Sequence, residues 1–245
     1  MRRLALLALP ILAALPLSSD ARGCQAAPDY TMEILVDGRP LSLLTGNGST
    51  YVEAAKNREY SIRLTNRTGA RVAAALSVDG LNVIDANRTS AREARKWILD
   101  PWQSITLDGW QVSSESARRF VFTTEEKSYG AWLGRTGDLG VISAAFFRER
   151  PRPVAPPAPI EKQRSADAPA ASGERSDEYA ATGIGREVDH RVIEVDFDEE
   201  ATPARVLTYR YEYRDALARL GILPDDRPLA RRERATGFAP DPYRR

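Results

Sequence analysis

Cysteine and histidine are almost missing from this 245-residue chain, which has one of each, Cys24 and His190. A single thiol forms no internal disulfide, so the fold must be held by its core alone. One histidine excludes zinc sites built from several imidazoles, and Cys24 and His190 lie too far apart in the chain to form a credible Cys–His catalyst. No Gly-x-Ser-x-Gly elbow is present to supply a nucleophile, so His190, next to a predicted strand, reads as structural or exposed. An excess of charge is missing too: 35 basic residues face 34 acidic ones. That balance argues against nucleic acid as a partner, because phosphate contacts demand a basic surplus. Lysine is scarce beside arginine, a trait of composition rather than a row of phosphate contacts.

Long apolar runs are confined to the beginning. Arg2 and Arg3 precede the stretch Leu4 to Leu17, which is too short to span a bilayer and is interrupted by Pro10 and Pro16. Residues 1–23 therefore read as an export signal, with Ser19-Asp20-Ala21 offering the small residues that a signal peptidase reads. The expected location is periplasmic or extracellular, with no transmembrane span in the mature chain. Cys24 follows Gly23 and is a weak candidate for lipidation, since Ala21-Arg22 departs from the apolar-then-small pattern of a lipid-acceptor site.

What is present is β periodicity. Met32, Ile34 and Val36 alternate up to the turn Asp37-Gly38, and Leu41 to Leu44 is the expected return strand. Tyr60, Ile62 and Leu64 alternate with Ser61, Arg63 and Thr65, giving one buried and one wet face. Val72 to Val78 is a further strand, turned by Asp79-Gly80, and others fall near 105–107, 120–122 and 141–147. Short helices are expected at 113–118 and 125–133. Residues 30–149 thus predict an antiparallel β-sandwich or barrel-like domain. Residues 150–181 hold six prolines in their first twenty positions and read as a linker. Beyond it, 182–223 predicts strands at 192–197 and 205–214 and a short helix from Asp215 to Gly221. Leu207, Tyr209, Tyr211 and Tyr213 share one face, which is expected to dock on the main domain. Residues 224–245 read as a disordered tail.

Candidate sites are few. The stretch WILDPWQSITLDGW, 97–110, carries three of the four tryptophans. Were 103–110 one strand, Ile105 and Leu107 would face the core, with Trp102 and Trp110 on the other side. The ordinary role of such large aromatics is packing at strand ends. The alternative is a sugar-stacking platform using Trp102, Trp110 or Trp132, although about 26 Å of extended chain would separate the first two. Asp79 and Asp108 precede glycine and Asp100 precedes proline, placing those acids in turns. Asp196, Asp198, Glu199 and Glu200 lack the glycine and spacing of a calcium loop. Gly183-Ile184-Gly185 lacks the third glycine and preceding strand of a dinucleotide site, and reads as a bend at the end of the linker. No metal, cofactor or catalytic residue is assigned.

Taken together, Asn66-Arg67-Thr68-Gly69, LSVDGLNVIDA at 76–86, ILDPWQSITLDGW at 98–110 and FFRER at 146–150 resemble a family of exported bacterial β-rich proteins with no known activity. Thr182-Gly183-Ile184-Gly185 and the tyrosine strand are similar to that family's C-terminal part. The family has a histidine between the two glycines where this chain has Ile184, so no histidine-based role carries over. The expectation is an exported envelope protein that binds or scaffolds an envelope protein or glycan, with the C-terminal strands folding back or engaging a partner at an exposed sheet edge. Its rivals are a carbohydrate-binding module and a polysaccharide hydrolase using paired carboxylates.

Overall fold

A computed structural model gives the structure, and it describes residues 27–150 and 180–224. The expected export signal, Cys24, residues 151–179 of the expected linker and residues 225–245 of the expected tail lie outside them. No helix among the described residues is long and apolar enough to cross a membrane.

Turn chemistry sets the start of the fold. Strand β1 (Tyr30–Val36) turns at Asp37 and Gly38, both with positive φ (50° and 73°), into the two-residue β2 (Arg39–Pro40). Two positive φ angles in succession are the conformation whose twist matches a two-residue hairpin. The same device, Asn47-Gly48, joins β3 (Leu44–Gly46) to β4 (Ser49–Glu53). Next come β5 (Glu59–Asn66) and β6 (Val72–Val78), which turns at Asp79-Gly80 into β7 (Leu81–Asn82). Strands β8 (Trp97–Leu99), β9 (Ser104–Leu107), β10 (Gly109–Gln111) and β11 (Ser116–Thr124) follow. A single turn of helix, α1 (Tyr129–Trp132), leads to β12 (Val141–Arg148). The second segment supplies β13 (Ala180–Asp189), β14 (Arg205–Glu212) and α2 (Arg214–Arg219).

These strands form two sheets packed as a β-sandwich. One runs β10-β11-β5-β1-β2, with β13 against β11 and β9 against β5. The other runs β3-β4-β14-β12-β6-β7, with β8 against β6. Pairing is antiparallel throughout, except that β4 and β14 run parallel. The expected alternation is seen directly: Met32 pairs with Leu64 and Ile34 with Ile62 in the core, while Glu33 and Arg63 sit opposite each other on the outside. Tyr30, Tyr60, Phe120, Phe122 and Phe146 fill the space between the sheets with stacked rings.

Residues 180–224 are not laid upon a finished sandwich; they complete it. Strand β14 sits between β12 and β4 inside the second sheet, and Tyr209 and Tyr211 are buried while Thr208 and Arg210 are exposed. Ala180 and Ala181, read from sequence as linker, are the buried start of β13. Gly183-Ile184-Gly185 is therefore strand rather than bend. A Cβ at Gly185 would come 2.8 Å from Val121 Cγ2, so its glycine serves close approach to β11.

Three other expectations are corrected. Residues 116–118 belong to β11 rather than a helix, because Ala117 and Arg118 ladder with β10 on one side and β13 on the other. The return strand is β2, ahead of the expected 41–44; residues 41–43 are not strand, and Leu44 instead begins β3. Residues 192–197 form no strand, since no neighbour offers them a ladder.

Because β14 is internal to its sheet, a chain ending at residue 150 should lose cooperative folding. Near-ultraviolet circular dichroism and urea unfolding check this; a cooperative transition in the truncated chain would show that the sheets close without β13 and β14.

Candidate functional site

Two places gather polar groups: one sealed in the core and one open. The sealed one begins at the Asp79-Gly80 turn. Asp79 Oδ1 accepts the Gly140 N–H at 2.9 Å and the Tyr211 hydroxyl at 2.5 Å, and Oδ2 accepts the Thr182 N–H at 2.7 Å. The Thr182 hydroxyl lies 2.7 Å from both the Tyr211 and Tyr60 hydroxyls, so the network crosses from one sheet to the other. All four side chains are buried. Burial pushes the Asp79 carboxyl up to about 6, its donors offsetting part of that shift. Burial, with the nearby Asp79 charge, also raises Tyr60 and Tyr211 well above the ordinary phenol range. Buried and mutually hydrogen-bonded, these groups tie the two sheets together through the core.

The open place is a groove of about 1010 Å³ on the flank of the sandwich. Strands β8 and β9 are consecutive but belong to different sheets, and each pairs on one side only, with β6 and β5 respectively. The turn Asp100–Gln103 joins them at one end of the groove. Residues 190–199 run across this opening as a strap. Their start is tied by His190 N–H and Val192 N–H to the carbonyls of Glu115 and Ser114, both at 2.8 Å. Their end is tied by Arg150 N–H to the Asp198 carbonyl at 2.7 Å and by the Glu149–Glu199 bridge. Between these ties, no backbone hydrogen bond is made by residues 193–197 to the described residues. Ile193 is 82% exposed and Val195 is exposed as well. Phe197 is the inner anchor, packed on the small cluster of Ala73, Ala75 and Phe147 beneath the Arg71 guanidinium.

His190 closes the other end. Its Nδ1 lies 2.7 Å from Gln111 Oε1, while Gln111 Nε2 donates to the His190 carbonyl at 2.8 Å, and its ring meets Trp97 edge-on. Partial burial lowers its pKa, with Asp108 opposing. Its role is to pin the strap. The charges of the groove are mostly paired: Arg71 with Asp100 (3.3 Å) and Glu149 (3.1 Å), and Lys96 with Glu199 (2.9 Å). Glu194 and Asp196 are exposed and have no ion-pair partner among the described residues. No cluster of three metal-ligating side chains occurs among the described residues.

The three candidate tryptophans have three different fates. Trp110 is 2% exposed, packs against Phe120 and Tyr129 and directs its indole N–H at the Gly183 carbonyl (3.4 Å), so it presents no face to a ligand. Gly109 makes this possible, because a side chain there would collide with the Arg118 carbonyl. Trp132 is 76% exposed and lies flat on Tyr129. Trp102 is 71% exposed, and its φ of 61° is in the left-handed region. Tyr129 thus touches both Trp110 and Trp132, while no ring contact among the described residues joins Trp102 to either. Sequence alone does not single out the strap, because the alternation at 192–197 is that of an ordinary strand. No protein-family model, curated protein or solved structure matches the chain.

Two outcomes follow from these placements. Trp110→Ala should cost about 3–5 kcal/mol of unfolding free energy by urea titration, in proportion to the cavity it leaves. The Asp79 carboxyl, raised in the fold from 3.8 to about 6, opposes folding when ionised. That penalty is complete above about pH 6 and fades as pH falls toward 4, on the order of 3 kcal/mol in all. The stability difference between the native chain and Asp79→Asn should therefore change in that window, with the native chain gaining at low pH. A difference independent of pH would show that Asp79 is ionised without penalty.

Proposed function

We propose that this chain is an exported binding or scaffolding protein of the cell envelope that takes an extended strand of a partner protein along residues 193–197. Export rests on the basic, then apolar, then small pattern of residues 1–23. The resemblance to exported β-rich proteins supports the same location, periplasmic or extracellular. Cys24 is a weak candidate for a lipid anchor on the same grounds.

One observation carries the binding reading: Val192 to Phe197 has the composition and alternation of a strand and lies extended, yet has no ladder partner among the described residues. Unpaired strand backbone is a template for another chain, and β-augmentation uses it for affinity while alternate side chains give specificity. Charge selects the partner. Glu194 and Asp196 stand two residues apart on one face of the strap, so a complementary strand carries lysine or arginine two apart, with apolar residues between to meet Ile193 and Val195. Antiparallel pairing with a second copy centred on Val195 would set Glu194 against Asp196, a like-charge contact that disfavours self-association.

A labelled Lys-Val-Lys-Val-Lys-Val peptide should bind, protect the amides of 193–197 from hydrogen exchange and lose affinity with rising salt. Equal binding of Glu-Val-Glu-Val-Glu-Val, or no protection there, would sink the reading. The carbohydrate-binding alternative keeps one specific support, the exposed indoles of Trp102 and Trp132. It expects glycan-array signals lost in Trp132→Ala at unchanged stability. A polysaccharide hydrolase needs two carboxyls facing each other across the groove; of the three carboxyls on its wall, Asp100 and Glu199 are each engaged by a cation and Glu194 is the one without an ion-pair partner among the described residues.

A further inference from the structure

Strand β9 has one unpaired edge, and its register shows which backbone groups stand on it. Leu64 pairs with Ile105 and Ile62 with Leu107, and the Asn66 N–H donates to the Gln103 carbonyl at 2.9 Å. In an antiparallel pair, residues that exchange hydrogen bonds with their opposites alternate with residues that do not. Ile105 and Leu107 therefore turn their N–H and C=O groups toward β5, whereas Ser104 and Thr106 turn theirs away. Those outward backbone groups have no hydrogen-bond partner among the described residues. The edge also lacks the usual guards: Ser-Ile-Thr-Leu carries neither charge nor proline.

The strap runs along this edge in the opposite direction. Strand β9 begins just after Asp100, which Arg71 joins to Phe197, contacting the carboxylate at 3.3 Å and lying 5.5 Å from the ring centre. It leads through β10 to Gln111, whose side chain holds His190 at the start of the strap. Ile105, Thr106 and Leu107 line the same groove as Ile193, Glu194 and Val195, and no backbone hydrogen bond joins the two stretches. Their faces correspond. Ile105 and Leu107 pack on the core while Ser104 and Thr106 are exposed. On an extended strap, Ile193 and Val195 share the side of Phe197, which packs inward, and Glu194 and Asp196 share the other. The groove's lysine and arginines, Arg71, Arg95, Lys96 and Arg191, are all held in ion pairs, whereas Glu194 is not.

We propose that the partner's basic strand lies between the strap and β9, laddered on the outward backbone groups of Ser104 and Thr106, and so extends the first sheet beyond β9. The proposal rests on the strand-binding reading above and adds the edge that fixes its register. Apolar side chains of the partner meet Ile105 and Leu107 on one side and Ile193 and Val195 on the other. Its basic side chains emerge with Ser104 and Thr106, where Glu194 supplies the unpaired charge. Because the strap and β9 run in opposite directions, a strand antiparallel to one is parallel to the other, as β14 is between β12 and β4. Strand β9 supplies what the strap lacks: held by β5, it already has ladder geometry, so pairing there costs little ordering.

Residue-resolved hydrogen exchange on the full chain, with and without the Lys-Val-Lys-Val-Lys-Val peptide, tests this. The amides of Ser104 and Thr106 should exchange freely in the native chain and slow together with those of 193–197 when the peptide is added. Thr106→Pro removes one outward N–H on an edge, where proline is tolerated, and should weaken peptide binding about tenfold with near-ultraviolet circular dichroism unchanged. Thr106→Ala, which keeps the N–H, should bind as the native chain does. Protection of 193–197 while Ser104 and Thr106 still exchange freely would overturn the proposal and leave the strap reading intact, whether or not the proline variant folds. Undiminished affinity in a folded Thr106→Pro would do the same. Protection of Ser104 and Thr106 alone would put the peptide on β9 without the strap and overturn the arrangement between them. No binding by the native chain would remove the strap reading and the proposal with it.

Discussion

One carboxyl holds the two halves of this sandwich in register. Asp79 sits in the turn after β6 and receives N–H or O–H donors from Gly140, from Thr182 on β13 and from Tyr211 on β14. Through the Thr182 hydroxyl it reaches Tyr60 on β5 in the opposite sheet. A buried polar network is specific as well as binding: each donor and acceptor is satisfied in one arrangement, so a slip of β13 or β14 would leave several unpaired. A slip of β14 by one residue would also turn buried Tyr209 and Tyr211 outward, so apolar burial and the polar network specify the same register.

The flank of the molecule follows from that arrangement. Strand β13 ends against the first sheet and β14 begins inside the second, so the chain between them has to cross from one layer to the other. It crosses over β8 and β9, where the sheets part and each edge strand has only one partner. His190 and Gln111 fasten the crossing at one end, and Arg150, Glu199 and Phe197 at the other. The middle is left extended, apolar and acidic. An edge like this invites pairing, and natural proteins usually guard such edges with charge. Here Glu194 and Asp196 place two negative charges on that middle stretch, with no ion-pair partner among the described residues.

The alternating runs at 32–36 and 60–65 and the tyrosine face of 205–214 were legible because burial on one face of a sheet writes a period of two into the sequence, whereas 72–78 read as a continuous apolar run and is buried on both faces. The Asp-Gly turns were legible because few other pairs accept two positive φ angles in succession. Strand β13 was not legible: Ala180, Ala181, Thr182 and Gly183 are small residues without alternation. They are strand only because β11 provides the ladder and the glycines let the backbones approach. At the candidate site, the strap's residues were visible as a strand pattern, but its lack of a partner was not, since periodicity records faces and says nothing of neighbours. Trp102 and Trp110 likewise look equivalent in sequence. One is stranded outside by a turn with positive φ and the other is drawn into the core by Gly109.

The amino-acid pattern alone determined that this chain is mainly β, a sandwich or barrel-like fold closed without internal disulfides, because alternation and turn chemistry are local and every strand must bury one face. Only the tertiary structure decided which strand lies beside which, that residues 180–224 enter both sheets, and that 193–197 is left without a ladder. Those outcomes depend on contacts between residues far apart in the chain, above all the one carboxylate that reaches strands on both sides of the core.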